Sequence, residues 1–220
     1  METELGNKHV QENHIGKWRR LILFLLCGAF FIWAFQQIMN EQTIGFDESI
    51  RNFVIGLEAD VLISFFHLFT MLGDKTGVII IMVLSILMIW WKKRDYKAMA
   101  IIVGGVILVN ELNKWLKDFT GRERPMTGPG AESLSFPSGH AMVGLFFYGL
   151  LVYFAQSGIR LLIAIFGTVF IALLGTSRLF LNYHYPSDVF AGYAAGYVCL
   201  IFGVLLYEWS QSFRKNKRAM

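Results

Sequence analysis

Long apolar runs separated by short polar segments dominate this chain, and six of them have the spacing of membrane-crossing helices. Leu21 to Met39, Gly77 to Trp91, Ala98 to Leu116, His140 to Ala155, Ile159 to Leu179 and Val189 to Trp209 are the predicted spans, a crossing helix needing about 20 apolar residues. Val61 to Leu72 is apolar too, but about a dozen residues cannot cross roughly 30 Å of hydrocarbon. With the polar stretch before it, that run predicts helix over 47–72 lying along the outer interface. The fold class is therefore all-α: an integral membrane bundle of six transmembrane helices with a short interfacial helical segment on its outer face.

Residues 1–20 are polar and end in Lys17-Trp18-Arg19-Arg20, which predicts a cytoplasmic tail with an interfacial anchor. Residues 21–210 form one six-helix domain, and 211–220 form a basic cytoplasmic tail. A signal peptide is the competing reading of the first run. That run is long for a signal's apolar region, and Phe35-Gln36-Gln37-Ile38 offers no small-x-small cleavage site, so it predicts an uncleaved helix.

Composition removes other classes. A chain of 220 residues that is 55% hydrophobic and 16% charged is too apolar for a soluble domain. The net charge of +4 is modest and calls for no nucleic-acid partner. Cys27 and Cys199 lie apart within apolar runs and read as buried thiols. No Cys-x-x-Cys or His-Glu-x-x-His pattern occurs, so neither a metal nor another cofactor is expected. No obligate protein partner is evident.

The positions of the basic residues orient the chain. With the amino terminus inside, the inner segments hold Lys17, Arg19, Arg20, Lys92, Lys93, Arg94, Lys97, Arg160, Arg214, Lys215, Lys217 and Arg218. This satisfies the positive-inside rule and places both termini in the cytoplasm of a multi-pass plasma-membrane protein. The remaining basic residues fall mostly on the outer side, in three clusters where orientation does not ask for them.

The first cluster is Lys117-Asp-Phe-Thr-Gly-Arg122-Glu-Arg124-Pro125, the second Pro137-Ser138-Gly139-His140, and the third Ser177-Arg178 with His184 and Asp188. In the second, Pro137 stops a preceding helix, Ser138 can cap, Gly139 permits close approach, and a helix starts at His140; such an amino terminus offers free N–H groups to an anion. Ser138 as a simple cap is the plainer reading. Lys117, Arg124 and Arg178 can balance roughly two negative charges on a phosphate. Asp188 follows His184 by four residues, so its carboxylate can hold the imidazole Nδ1–H and leave Nε2 as a nucleophile, with His140 as general acid. A His-x-x-x-Asp pair can also bind metal, but only two His converge here. Glu111 and Lys114 are helix neighbours and form either a structural ion pair or part of the site. His67 is either packed at the interface or catalytic.

These residues resemble the type 2 phosphatidic acid phosphatase superfamily, the metal-independent lipid phosphate phosphatases. Its signature is Lys, six residues, Arg-Pro; then Pro-Ser-Gly-His; then Ser-Arg, five residues, His, three residues, Asp. The chain matches at Lys117, Arg124, Pro125, Pro137, Ser138, Gly139, His140, Ser177, Arg178, His184 and Asp188, and the resemblance covers about Gly73 to Trp209. It implies a phosphohistidine mechanism: His184 attacks phosphorus, Asp188 orients it, and His140 protonates the leaving group. Lys117, Arg124, Arg178 and the Ser138 and Gly139 amides would bind the phosphate. Arg122 lies outside the signature and is either a ligand for a second phosphate or a solvated loop residue. The resemblance implies a bacterial enzyme, of the phosphatidylglycerophosphatase B or undecaprenyl-diphosphatase type, with its site on the extracytoplasmic face. Undecaprenyl diphosphate, phosphatidylglycerol phosphate and phosphatidic acid are the implied substrates. Vanadium haloperoxidases share the signature but are soluble; a non-catalytic lipid-phosphate binding or transport protein is the remaining alternative.

Overall fold

The chain is described here by a computed structural model covering residues 2–40, 44–57, 59–125, 133–155 and 160–218. Eight helices make up these residues: α1 (Glu2–Met39), α2 (Gly45–Ile55), α3 (Asp60–Thr70), α4 (Lys75–Lys93), α5 (Tyr96–Thr120), α6 (Gly139–Phe154), α7 (Arg160–Phe180) and α8 (Pro186–Arg218). The turn at 156–158 and residues 126–132 of the loop after α5 lie outside the described residues, as do the side chains of Arg160, Arg214, Lys215, Lys217 and Arg218.

Five helices are long and apolar enough to cross a membrane: α1, α4, α5, α7 and α8. They turn large apolar side chains outward, among them Leu108 at 71% and Phe166 at 72% exposure. Such a surface suits acyl chains and not water. The sixth span, α6, has 16 residues and at about 1.5 Å per residue is shorter than the hydrocarbon. It runs through the middle of the bundle against α5, α7 and α8. A helix walled by protein need not match the membrane's thickness.

The amino-terminal segment, read as a tail from its polarity, belongs to the same continuous helix as the first span. The interfacial segment is two helices, α2 and α3, in place of one. α3 stacks Phe66 on Phe180 of α7 with ring centroids 4.5 Å apart, and α2 sets Phe46 against Phe190 of α8.

The core lies around α6, where Met142, Phe147 and Leu150 pack with Ile102 and Leu174. Gly192 and Gly196 on one face of α8 let it approach α6 closely: a Cβ at Gly192 would lie 2.7 Å from the Ser138 carbonyl oxygen, and one at Gly196 2.5 Å from that of Met142. Small residues four apart permit this backbone contact between membrane helices. It also brings the start of α8 against the start of α6. At the other end of the bundle Lys93 bonds the Phe154 carbonyl, Tyr207 bonds Asp95 and Arg20 pairs with Glu208.

Candidate active site

α5 carries Lys117 in its last turn and ends at Gly121, whose φ of 63° closes the helix through a bond to the Lys117 carbonyl. The chain then turns back: the Ser135 N–H donates to the Arg122 carbonyl at 2.7 Å, and Asn113 of α5 donates to the Pro137 carbonyl at 3.0 Å. These bonds hold the Pro-Ser-Gly turn at the start of α6. The Ser138 N–H donates to the Asp188 carbonyl at 3.0 Å, locking α6 to α8. This amide is thereby occupied, so of the two amides read as phosphate ligands only that of Gly139 stands at the helix end without such a bond. The Ser138 hydroxyl makes no capping bond. It is buried without a hydrogen-bond partner, as is Nε of Arg178. Buried polar atoms normally have partners, and these two suit an anion at the mouth of α6.

The third cluster forms where α7 gives way to α8. Asn182, at φ 52°, turns the chain, and the N–H groups of Tyr183 and His184 both donate to the Arg178 carbonyl. Pro186 then opens α8, a position its fixed φ suits. Asp188 reaches back to accept the Tyr185 N–H at 2.9 Å, as the third residue of a capping box does.

The contact between His184 and Asp188 differs from a direct bond. Nδ1 lies 3.6 Å from Oδ2, too far for a hydrogen bond. The Ser135 hydroxyl stands between them, donating to Asp188 Oδ2 at 2.5 Å and lying 3.2 Å from His184 Nδ1. Because that hydroxyl spends its proton on the carboxylate, its oxygen accepts Nδ1–H, which leaves Nε2 with a free lone pair. His184 is 3% exposed. Burial pushes its pKa down to about 3 against the opposing pull of Asp188, so the imidazole is neutral.

Arg124 donates to the Ser133 carbonyl at 2.6 Å and the Tyr183 carbonyl at 3.1 Å, and burial lowers its pKa. Lys117 bonds the Leu134 carbonyl. Arg178 donates to Thr70 Oγ1 at 2.7 Å and stacks over Tyr183. Its Nη1 lies 3.4 Å from His140 Nε2. His140 Nε2 also meets Asp74 at 2.9 Å; that hydrogen bond, against the cost of burial, holds the Asp74 carboxyl below its ordinary value. A cavity of about 660 Å³ opens on Arg124, Arg178, Asp74, Thr70, Tyr183 and the exposed His67.

Arg122 is neither solvated nor turned to this cavity, contrary to both readings of its sequence context. Its guanidinium bonds Asp188 at 2.6 Å, Ser187 at 2.7 Å and Asp47 at 2.8 Å and lies over the Tyr185 ring. Burial pulls its pKa down, but the two carboxylates raise it overall. Glu111 and Lys114 form an exposed ion pair at 2.7 Å.

The structure thus brings Lys117, Arg124, Ser138, Gly139, His140, Arg178, His184 and Asp188 to one end of the bundle. Sequence reasoning missed Ser135, Asp47 and Asp74. Ser135 stands two residues before the Pro-Ser-Gly turn, which was its one available signal; the two acids come from segments distant in sequence and carried none.

The PAP2 superfamily model matches residues 97–212, more than half of the chain. Phosphatidylglycerophosphatase B of Bacillus subtilis (strain 168) is 36% identical over 93 residues, 39% of this chain, and the match spans 46% of that relative's length. Among solved structures, the transmembrane PAP2 type phosphatidylglycerolphosphate phosphatase from Bacillus subtilis superposes with a TM-score of 0.76 at 24% identity, over 89% of this chain and 97% of that one. LpxE of Aquifex aeolicus superposes with a TM-score of 0.58 at 20% identity, over 72% and 94%. The fold is shared with both, and by the family match this chain belongs to the PAP2 superfamily.

Proposed function

We propose that the chain is a lipid phosphatase that removes a terminal phosphate from a membrane lipid through a phosphohistidine on His184. The observation that carries this reading is the bond chain from His184 Nδ1 through Ser135 to Asp188, which leaves a neutral Nε2 beside several cations.

In the first step Nε2 attacks phosphorus, the bond from phosphorus to the lipid oxygen breaks, and His140 gives that oxygen a proton. In the second, water attacks phosphorus, His140 takes the water's proton, and the P–N bond breaks to release phosphate and restore His184. Lys117, Arg124, Arg178, the Ser138 hydroxyl and the Gly139 amide surround the equatorial oxygens, where charge stabilisation is usually the largest catalytic contribution. Binding alone would not require an oriented imidazole, which disfavours a non-catalytic lipid carrier.

Phosphatidylglycerol phosphate is the substrate we favour over undecaprenyl diphosphate and phosphatidic acid. The cavity wall beyond Arg124 and Arg178 presents the half-exposed Asp74. In phosphatidylglycerol phosphate a glycerol hydroxyl lies next to the terminal phosphate and suits a carboxylate there, with the phosphodiester three carbons on. Phosphatidic acid has no such hydroxyl, and the second phosphate of the diphosphate, joined directly to the first, would be repelled. The name of the Bacillus subtilis relative agrees with this choice. The basic residues gathered at the opposite end support a cytoplasmic location for both termini and an extracytoplasmic site.

The test is phosphate release by purified protein in detergent, with excess chelator, from each of the three lipids. Turnover fastest on phosphatidylglycerol phosphate is the expected result. Fastest turnover on the diphosphate would overturn the substrate choice, and none on any lipid would overturn the activity.

A further inference from the structure

Asp47 is an acid on a short helix at the edge of the bundle, yet it is 2% exposed. Its Oδ1 accepts the Ser187 N–H at 2.7 Å, and its Oδ2 accepts the Ser187 hydroxyl at 2.6 Å and Arg122 Nη2 at 2.8 Å. Nη1 of the same guanidinium holds Asp188 Oδ1 at 2.6 Å. Taking charges out of water is costly, and such networks are often no more stable than apolar packing of the same volume. Stability alone therefore gives no reason for two carboxylates and a guanidinium here. The geometry supplies one: Asp188 is held from both sides, Oδ1 by Arg122 and Oδ2 by Ser135 and the Tyr185 N–H.

We propose that Asp47 and Arg122 are positioning residues for the phosphoryl transfer. Asp47, carried by α2, fixes the Arg122 fork and the first turn of α8, and Arg122 fixes the Asp188 carboxylate that orients His184 through Ser135. The proposal rests on the role of His184 given above. It ties the seating of α2 to the chemistry. α2 buries Val54 as well as Asp47, sets Phe46 on Phe190 and bonds Asn182 through Arg51, while its Phe53 faces outward at 66% exposure, so the ionic contact is one of the few that hold it to the bundle.

The groups that set the charge around His184 and Asp188 are Lys117 of α5, Arg122 and Arg124 of the following loop, and Asp47 of α2, with the Ser135 hydroxyl between the two. Arg122→Gln removes one cation and leaves both carboxylates, which makes His184 easier to protonate. Its acid limb in kcat/KM therefore moves to higher pH. A residue that acted only by holding the fold would change the fraction of active protein and leave the limb in place.

The experiment compares the full-length wild type with Asp47→Asn, Asp47→Ala, Arg122→Lys and Arg122→Gln in detergent micelles containing phosphatidylglycerol phosphate, with thermal melting measured on each. Wild-type turnover establishes the reaction first; its absence overturns the functional reading and not the network. With turnover present, Arg122→Gln should lose about 100-fold in kcat with KM within about threefold of wild type, as expected when an orienting partner is removed. Arg122→Lys keeps the charge without the fork and should lose roughly tenfold. Asp47→Ala should lose more than Asp47→Asn, which keeps an acceptor oxygen for Ser187. If Arg122→Gln does not fold, the order of the other three variants decides. Folded variants with wild-type kcat and an unmoved acid limb would overturn the proposal.

Discussion

The Ser135 hydroxyl lies 3.2 Å from His184 Nδ1 and bonds the carboxylate that the imidazole itself does not reach. Asp188, four residues after His184, is thus connected to the imidazole by a side chain from another element. Ser135→Ala opens that connection and leaves Nδ1–H without a buried acceptor. We predict a loss of about 10- to 100-fold in kcat, the scale of losing an orienting partner, with little change in KM. Steady-state kinetics on phosphatidylglycerol phosphate checks it; unchanged kcat would mean that Asp188 orients the ring without the serine.

Asp74 pairs with His140 at 2.9 Å and favours the protonated imidazole, the form that in the proposed mechanism gives the departing lipid oxygen a proton. Asp74→Asn should therefore slow a substrate with a poor leaving group, by about 10- to 100-fold on the scale of general acid catalysis. It should hardly affect p-nitrophenyl phosphate, whose leaving group needs no proton. Equal losses on both substrates would show that Asp74 serves binding or folding instead.

Burial of neutral His184 has a consequence for stability against pH. Its pKa is about 3 in the folded chain and 6.5 when unperturbed. Between those values the unfolded chain binds a proton that the folded chain does not. The contribution is fully present above pH 6.5 and is lost progressively as pH falls toward 3. The melting temperature should fall more between pH 7 and pH 4.5 in the wild type than in a folded His184→Gln variant. Parallel falls would contradict the assigned burial.

Gly192 lies where α8 meets the Ser138 carbonyl, and an added Cβ would sit 2.7 Å from that oxygen. Gly192→Ala should destabilise by about 1–3 kcal/mol, as overpacking does, and should lower kcat because it moves Asp188 relative to the Pro-Ser-Gly turn. Thermal melting and kinetics together test this, and an unchanged melting temperature would contradict it.

The spans and the gathering of the three clusters were legible because hydropathy and fixed local spacing record them. Lys117 and Arg124 lie in one stretch of chain, and so do Arg178, His184 and Asp188. Contacts that depend on tertiary packing were not legible. Arg122 meets Asp47 across 75 residues of sequence, and nothing near either residue marks the other. Arg122 therefore read as loop or ligand, and Asp47 as part of a polar stretch. The length of α6 was legible, His140 to Ala155 in the sequence against Gly139–Phe154 in the structure; its central place was not, because hydropathy does not encode it. Ser138 read both as a cap, which Ser before a helix usually is, and as a phosphate ligand; its hydroxyl makes no capping bond and is buried without a partner.

The most direct test of the phosphohistidine mechanism is an alkaline rapid-quench turnover of ³²P-labelled p-nitrophenyl phosphate in excess chelator, using His140→Ala, which slows release of the intermediate while a leaving group that needs no proton still lets it form. Acid-labile, base-stable label on His184 is expected, and none when His184 is also replaced by Ala. Turnover without label on the protein, or label on another residue, would contradict it.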